Sequence, residues 1–217
     1  MVISDSARLL SVHVQKTGGS TIHNRLTEVL PDARQVKGVD RHATLGQILR
    51  AEPELSTYWT FGIVRNPWAR MLSWFRMVER FRDSEQDGER RLDRKNQFIR
   101  SVAETCADFE SFIMKGLDEF SRLQTPQWRY LATKTRRADM IGRQESLEAD
   151  LRAVQARFDI AWEPLKSVNI DRTRPDYKAG PELGGRDTRY RSEYTDEMAR
   201  RVEAAFARDV TAFGYEF

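Results

Sequence analysis

One segment constrains this chain more than any other. A short apolar run, Leu9-Leu10-Ser11-Val12-His13-Val14, passes through Gln15-Lys16-Thr17-Gly18-Gly19 into a stretch of helical spacing from Ser20 to Leu30. Ile22, Leu26, Val29 and Leu30 fall on one face of that helix, and the apolar run before it reads as a buried strand. A glycine turn between a strand and a helix aims backbone N–H groups and the positive end of the helix dipole at one point, which favours an anion. Lys16 adds a full positive charge there. Lys16, Thr17, Gly18, Gly19, Ser20 and Thr21 are therefore candidates for holding a phosphate-like group. The same letters alone are equally compatible with a tight connection and a surface lysine.

The order of residues separates this turn from the nucleoside triphosphate loop. That loop places lysine after its glycines, in G-x-x-x-x-G-K-[ST], and holds a magnesium ion with the following hydroxyl. Here Lys16 precedes both glycines, and no glycine lies four residues before Gly18.

A second strand–turn–helix follows. Tyr58 to Val64 is aromatic and β-branched, as suits a strand. Asn66 is a good N-cap, and Pro67 fits the first helical position, where no N–H is needed. From Pro67 to Arg82, Trp68, Met71, Leu72 and Phe75 mark one buried stripe, with Ser73 off it. Arg65 stands at the strand end, so Arg65 and Ser73 can converge on a second phosphate, the arginine through its planar fork. A surface ion pair for Arg65 and a small helix contact for Ser73 are the plainer alternatives.

The two segments together resemble the PAPS-dependent sulfotransferases, in the branch of carbohydrate O-sulfotransferases and their bacterial relatives. That family's H-[IV]-x-K-T-G-G-[ST]-[ST] loop is matched by Lys16 to Thr21, and its V-R-[ND]-P-x-x-R-x-x-S-x-[FY] segment by Arg65, Asn66, Pro67, Arg70, Ser73 and Phe75. His42-Ala43-Thr44 is similar to a histidine segment between the two motifs. Met140 to Leu147 resembles an I-G-R-x-E-x-L segment, and Asp209 to Phe217 the terminal helix and tail. The resemblance implies one sulfotransferase-like domain over 1–217. It implies 3′-phosphoadenosine 5′-phosphosulfate (PAPS) as donor, with its 5′-phosphosulfate on the Lys16 loop and its 3′-phosphate on Arg65 and Ser73. Lys16 would stabilise the departing phosphate, and His42 would serve as the base on the acceptor hydroxyl or amine. No metal is required, and the acceptor would be a carbohydrate or small metabolite. Glu145 is an alternative base, with an Arg143 ion pair as its plain role. His42 could instead cap the helix from Leu45, His13 reads as a core histidine, and His23 as structural or exposed. Arg186, Arg189 and Arg191 lie in a basic loop, over the cofactor or simply solvated.

Composition narrows the remaining choices. A chain of 217 residues suits one domain with a sizeable core. No apolar run is long enough for a transmembrane helix, and Met1 to Ser6 shows no secretory pattern. The one cysteine, Cys106, reads as a small buried apolar residue and fits a reducing compartment. We expect a cytoplasmic protein. The net charge of +3 and pI near 9.1 suit an anionic ligand or nucleic acid. No nucleic-acid signature appears, and Arg80 to Arg91 alternates in sign, which favours a solvated helix end or loop. Histidines at 13, 23 and 42 show no metal-ligand spacing. A P-loop kinase and a non-catalytic nucleotide- or nucleic-acid-binding protein are the competing readings.

The remaining pattern predicts a short strand over Gln35–Val39 and helices over Leu45–Ala51, Asn96–Cys106 and Phe109–Lys115. A strand over Asp139–Arg143, a helix over Leu147–Phe158 and a loop over Pro175–Arg191 follow. Thr195 caps a last helix with Asp196 and Glu197 in its first turn. Strands alternating with helices imply an α/β fold, a P-loop-like parallel sheet flanked by helices, with its cofactor at the carboxyl ends of the strands.

Overall fold

The structure, a computed structural model, describes residues 1–86, 97–165 and 189–217. Along the chain it forms β1 (Val2–Ser4), β2 (Leu9–Val12), α1 (Gly19–Val29), α2 (Leu45–Ala51), β3 (Trp59–Val64), α3 (Pro67–Gln86) and α4 (Gln97–Thr105). Short helices α5 (Phe109–Ser111) and α6 (Leu117–Glu119) flank a π-turn at Phe112–Gly116. Then come α7 (Ser121–Gln124), α8 (Gln127–Leu131), β4 (Met140–Arg143), α9 (Leu147–Arg157), α10 (Asp196–Ala205) and α11 (Ala207–Phe213). The fold is α/β, with a four-stranded, mostly parallel sheet in the order β1-β2-β3-β4.

The described chain divides into two compact units, one of 1–65 and 127–186, the other of 66–126 and 187–217. The first contains the sheet. Strand β2 pairs parallel with β3, Leu9 opposite Trp59 and Val12 opposite Gly62, and β3 pairs parallel with β4, Val64 opposite Arg143. The carboxyl ends of all three strands therefore come out at one edge. Alternation sends Leu9, Phe61 and Ile63 to one face, where they meet Ile22, Leu26 and Leu30 of α1 and Leu147, Leu151 and Val154 of α9. On the other face, Gly62 leaves room for Leu131 of α8.

One strand carries no signal in the sequence, and one expected strand does not form. Strand β1 runs antiparallel to β2, with Val2 opposite Ser11, so the sheet is mixed. Three buried residues at its edge carried too short a pattern to read. The strand expected over Gln35–Val39 does not form. A single bridge joins Ile3 to Arg34, and Gly38 (φ 75°) then turns the chain left-handed, which ends extended structure.

The second unit is built around α3. Asn66 caps it as the sequence predicts, its Oδ1 accepting from the N–H groups of Trp68 (3.0 Å) and Ala69 (3.2 Å). Trp68, Met71, Leu72 and Phe75 are buried, but so is Trp74, off the expected stripe, edge-on to Phe98. A helix apolar on more than one side is a central one, and α3 extends to Gln86 rather than Arg82. Thr195 caps α10 through the Met198 N–H, with Asp196 and Glu197 in its first turn. Cys106 is fully buried, as its small apolar role requires. The expected solvated end near Arg80 is partly engaged: Arg82 donates to the carbonyls of Ala103, Cys106 and Ala107, at the end of α4. Arg189 and Arg191 form a 3-10 turn (Arg189–Glu193) rather than loop, while Arg186 and most of Pro175–Arg191 lie outside the described residues.

Candidate functional site

Everything predicted for the first motif lies where β2 runs out. Lys16 turns left-handed (φ 69°), and Gly18 (φ 83°) does so again at the N-cap of α1. A non-glycine residue in that region costs roughly 1–2 kcal/mol and persists only where its surroundings impose it. No side chain caps α1, and its first turn holds no acidic residue. The leading N–H groups of this 11-residue helix thus start beside Lys16 with no side-chain cap and no carboxylate of that turn competing for them. Ser20 is half-buried and Thr21 buried. The Thr17 hydroxyl donates to the Val14 carbonyl (2.9 Å), which fixes the turn.

Gly19 is required by a neighbour. A Cβ added there would lie 1.9 Å from Nε2 of His13, whose ring fills the space beneath the helix start. His13 is buried, as a core histidine should be, and borders a small cavity with Thr17, Gly19, His23 and Ile63. Burial, then the positive charge of His42, of the amino terminus, of Arg41 and of His23, pushes its pKa down to about 2. This predicts acid lability. Unfolded His13 takes a proton near pH 6.5 and the folded form refuses it, so stability falls as pH drops below about 6.5, by about 1.4 kcal/mol per unit. His13→Gln should flatten the melting temperature against pH between 6.5 and 5; an unchanged slope would show that His13 is not the group responsible.

The second cation joins the first. Arg65 leaves β3, and its Nη1 comes within 3.5 Å of the Lys16 carbonyl, at the outer limit of a hydrogen bond. The loop after β2 and the end of β3 thus carry two positive residues at one edge. Gln127, fully buried, holds Arg65 by its backbone, accepting from its N–H (2.8 Å) and donating to its carbonyl (2.7 Å). Gln127 had no signal in the sequence, because a buried carboxamide becomes recognisable only once its partner strand is beside it. Ser73 is half-buried on α3, in the second unit.

His42 is brought close to the first motif. Its ring meets His13 edge-on, centroids 4.5 Å apart, and His13 in turn lies beneath Gly19. The helix-capping alternative for His42 is excluded, since Thr44 makes a full capping box with Gln47 at the start of α2. Glu145 sits in a 3-10 turn after β4 (Gln144–Ser146). There Asp150 accepts from the Arg143 N–H (2.6 Å) and the Ser146 hydroxyl (2.7 Å). Among the described residues no group of three or more His, Cys, Asp and Glu side chains is arranged to hold a metal. None of the described helices is long and apolar enough to cross a membrane.

The mixed α/β sheet thus sets a lysine-led, uncapped helix start beside an arginine at the neighbouring strand end, an arrangement whose charge and helix dipole favour an anion. The model of the sulfotransferase family matches residues 1–216, and the chain belongs to that family. No curated protein matches the chain, and no solved structure does.

Proposed function

We propose that the protein transfers the sulfuryl group of PAPS to an acceptor hydroxyl or amine. The approach of the Arg65 guanidinium to the Lys16 turn, beside an uncapped helix start, is the observation that carries this reading. On it, the N–H groups of Thr17 to Thr21 and the hydroxyls of Ser20 and Thr21 hold the 5′-phosphate, and Arg65 with Ser73 holds the 3′-phosphate. His42 takes the proton as the acceptor oxygen bonds to sulfur. The bond from sulfur to the bridging phosphate oxygen breaks, and Lys16 stabilises the charge that appears there. The products are adenosine 3′,5′-bisphosphate and a sulfate ester from a hydroxyl or a sulfamate from an amine. No step needs a metal ion.

The family match runs across both units, which supports reading 1–217 as one catalytic domain. The acceptor class, a carbohydrate or small metabolite, comes from the resemblance. The single cysteine of the chain supports a cytoplasmic location.

Adenosine 3′,5′-bisphosphate at a hundred times its Kd stabilises a folded protein by about 2.7 kcal/mol. For a chain of this size that is roughly 5–10 °C in Tm. The rise should appear in EDTA as readily as in magnesium. No shift at millimolar bisphosphate would overturn the proposal, and a shift seen only with ATP and magnesium would replace it with a kinase.

A further inference from the structure

From the geometry around His42 we infer that Asp40 is a positioning residue for the base, setting its tautomer and balancing its charge. The inference rests on the reading of His42 as that base. Asp40 Oδ1 lies 3.3 Å from Nδ1 of His42 and also accepts the His42 backbone N–H at 2.6 Å. The same turn is closed by the Ala43 N–H on the Asp40 carbonyl (2.9 Å). One carboxylate oxygen thus holds the backbone N–H of His42 and stands within ion-pair reach of its ring. A carboxylate facing Nδ1 selects the tautomer with the proton there, which leaves Nε2 bare to accept a proton from an acceptor.

Charge supplies the second reason. The other ionisable groups around this ring are cationic or neutral. Arg41 adjoins it in sequence and reaches Nδ1 of His13 at 3.4 Å. His13 packs on the ring edge and is kept neutral by burial. Burial lowers the pKa of the Met1 amino group, bonded to the Arg41 carbonyl, to about 5, and burial also lowers that of His23, so neither adds a full charge near neutral pH. An imidazolium forming at His42 would be opposed by the Arg41 guanidinium and by burial among these uncharged groups, and the Asp40 carboxylate at 3.3 Å offsets that cost. The buried His13 ring forms a wall, so the His42 ring is held from two sides and sits one ring away from Gly19.

Asp40→Asn separates the electrostatic role from a structural one, because the asparagine oxygen still accepts the His42 N–H and keeps the turn. Imidazole nitrogen NMR on the free protein should show His42 protonated at Nδ1 in the wild type. In Asp40→Asn that preference should be lost and the titration midpoint should move to lower pH. With PAPS and a panel of sugar and phenol acceptors, kcat should fall on the order of 10-fold. Its acid limb should move to lower pH, KM for PAPS should stay unchanged, and Asp40→Glu should recover part of the rate. The same tautomer and midpoint in Asp40→Asn would overturn the role given to Asp40. Wild-type turnover in His42→Ala would instead overturn His42 as the base, whatever the spectra of Asp40→Asn show.

Discussion

Lys16→Ala will lose sulfuryl transfer by on the order of 10³-fold, the scale of removing one preorganised donor from a developing oxyanion. The loss should fall on kcat more than on KM for PAPS, because the bridging oxygen carries its full charge only as the bond to sulfur breaks. Lys16→Gly adds a second expectation. The lysine backbone is left-handed at φ 69°, a conformation that glycine adopts without penalty. The glycine variant should therefore be as inactive as the alanine one yet melt higher, by up to about 1 kcal/mol of added stability. A stable, inactive Lys16→Gly protein would mark position 16 as a place where backbone strain is tolerated for the sake of an ammonium group. Turnover near the wild-type rate in either variant would remove Lys16 from the chemistry.

Gly19→Ala should cost about 3 kcal/mol or more, the upper range of overpacking in a filled interior, and lower Tm by roughly 10 °C. The new methyl would stand 1.9 Å from Nε2 and 2.1 Å from Cδ2 of His13, far inside contact distance. That ring is buried between the loop, His42 and Arg41, so it has little room to retreat. Bisphosphate binding should fall with stability, since the displaced residue begins α1. The double variant Gly19→Ala/His13→Ala is the decisive comparison. If the clash is the cause, removing the ring should restore much of what Gly19→Ala alone loses, a coupling that additive effects cannot produce. Equal melting of the double variant and the sum of the singles would show that Gly19 is needed for another reason.

Much of this site was legible along the chain because its parts are local. A strand, a lysine, two glycines and a helix are contiguous from Leu9 to Leu30, and the boundary of α2 and the caps at Asn66 and Thr195 depend on side chains within three residues. The failures of pattern had one local cause and one tertiary cause. Residues 35–39 had strand-like composition but contained the left-handed Gly38, and Trp74 was buried against Phe98, which no spacing rule links to it.

By itself, then, the order of residues determined the elements and the chemistry they carry: a lysine ahead of a glycine turn, an arginine at the end of a strand, and a histidine between them. The tertiary structure decided which of these come together. Parallel pairing of β2 with β3 brought Arg65 to the Lys16 carbonyl across 49 residues of chain. The end of β3 gained its support from Gln127, and His42 was set against the ring that dictates a glycine at position 19. The reason is physical. A cap or a turn is satisfied by neighbours in sequence, whereas a buried amide's partner, a ring edge and the approach of Arg65 to the Lys16 carbonyl exist only once sheet pairing has closed the distance between them.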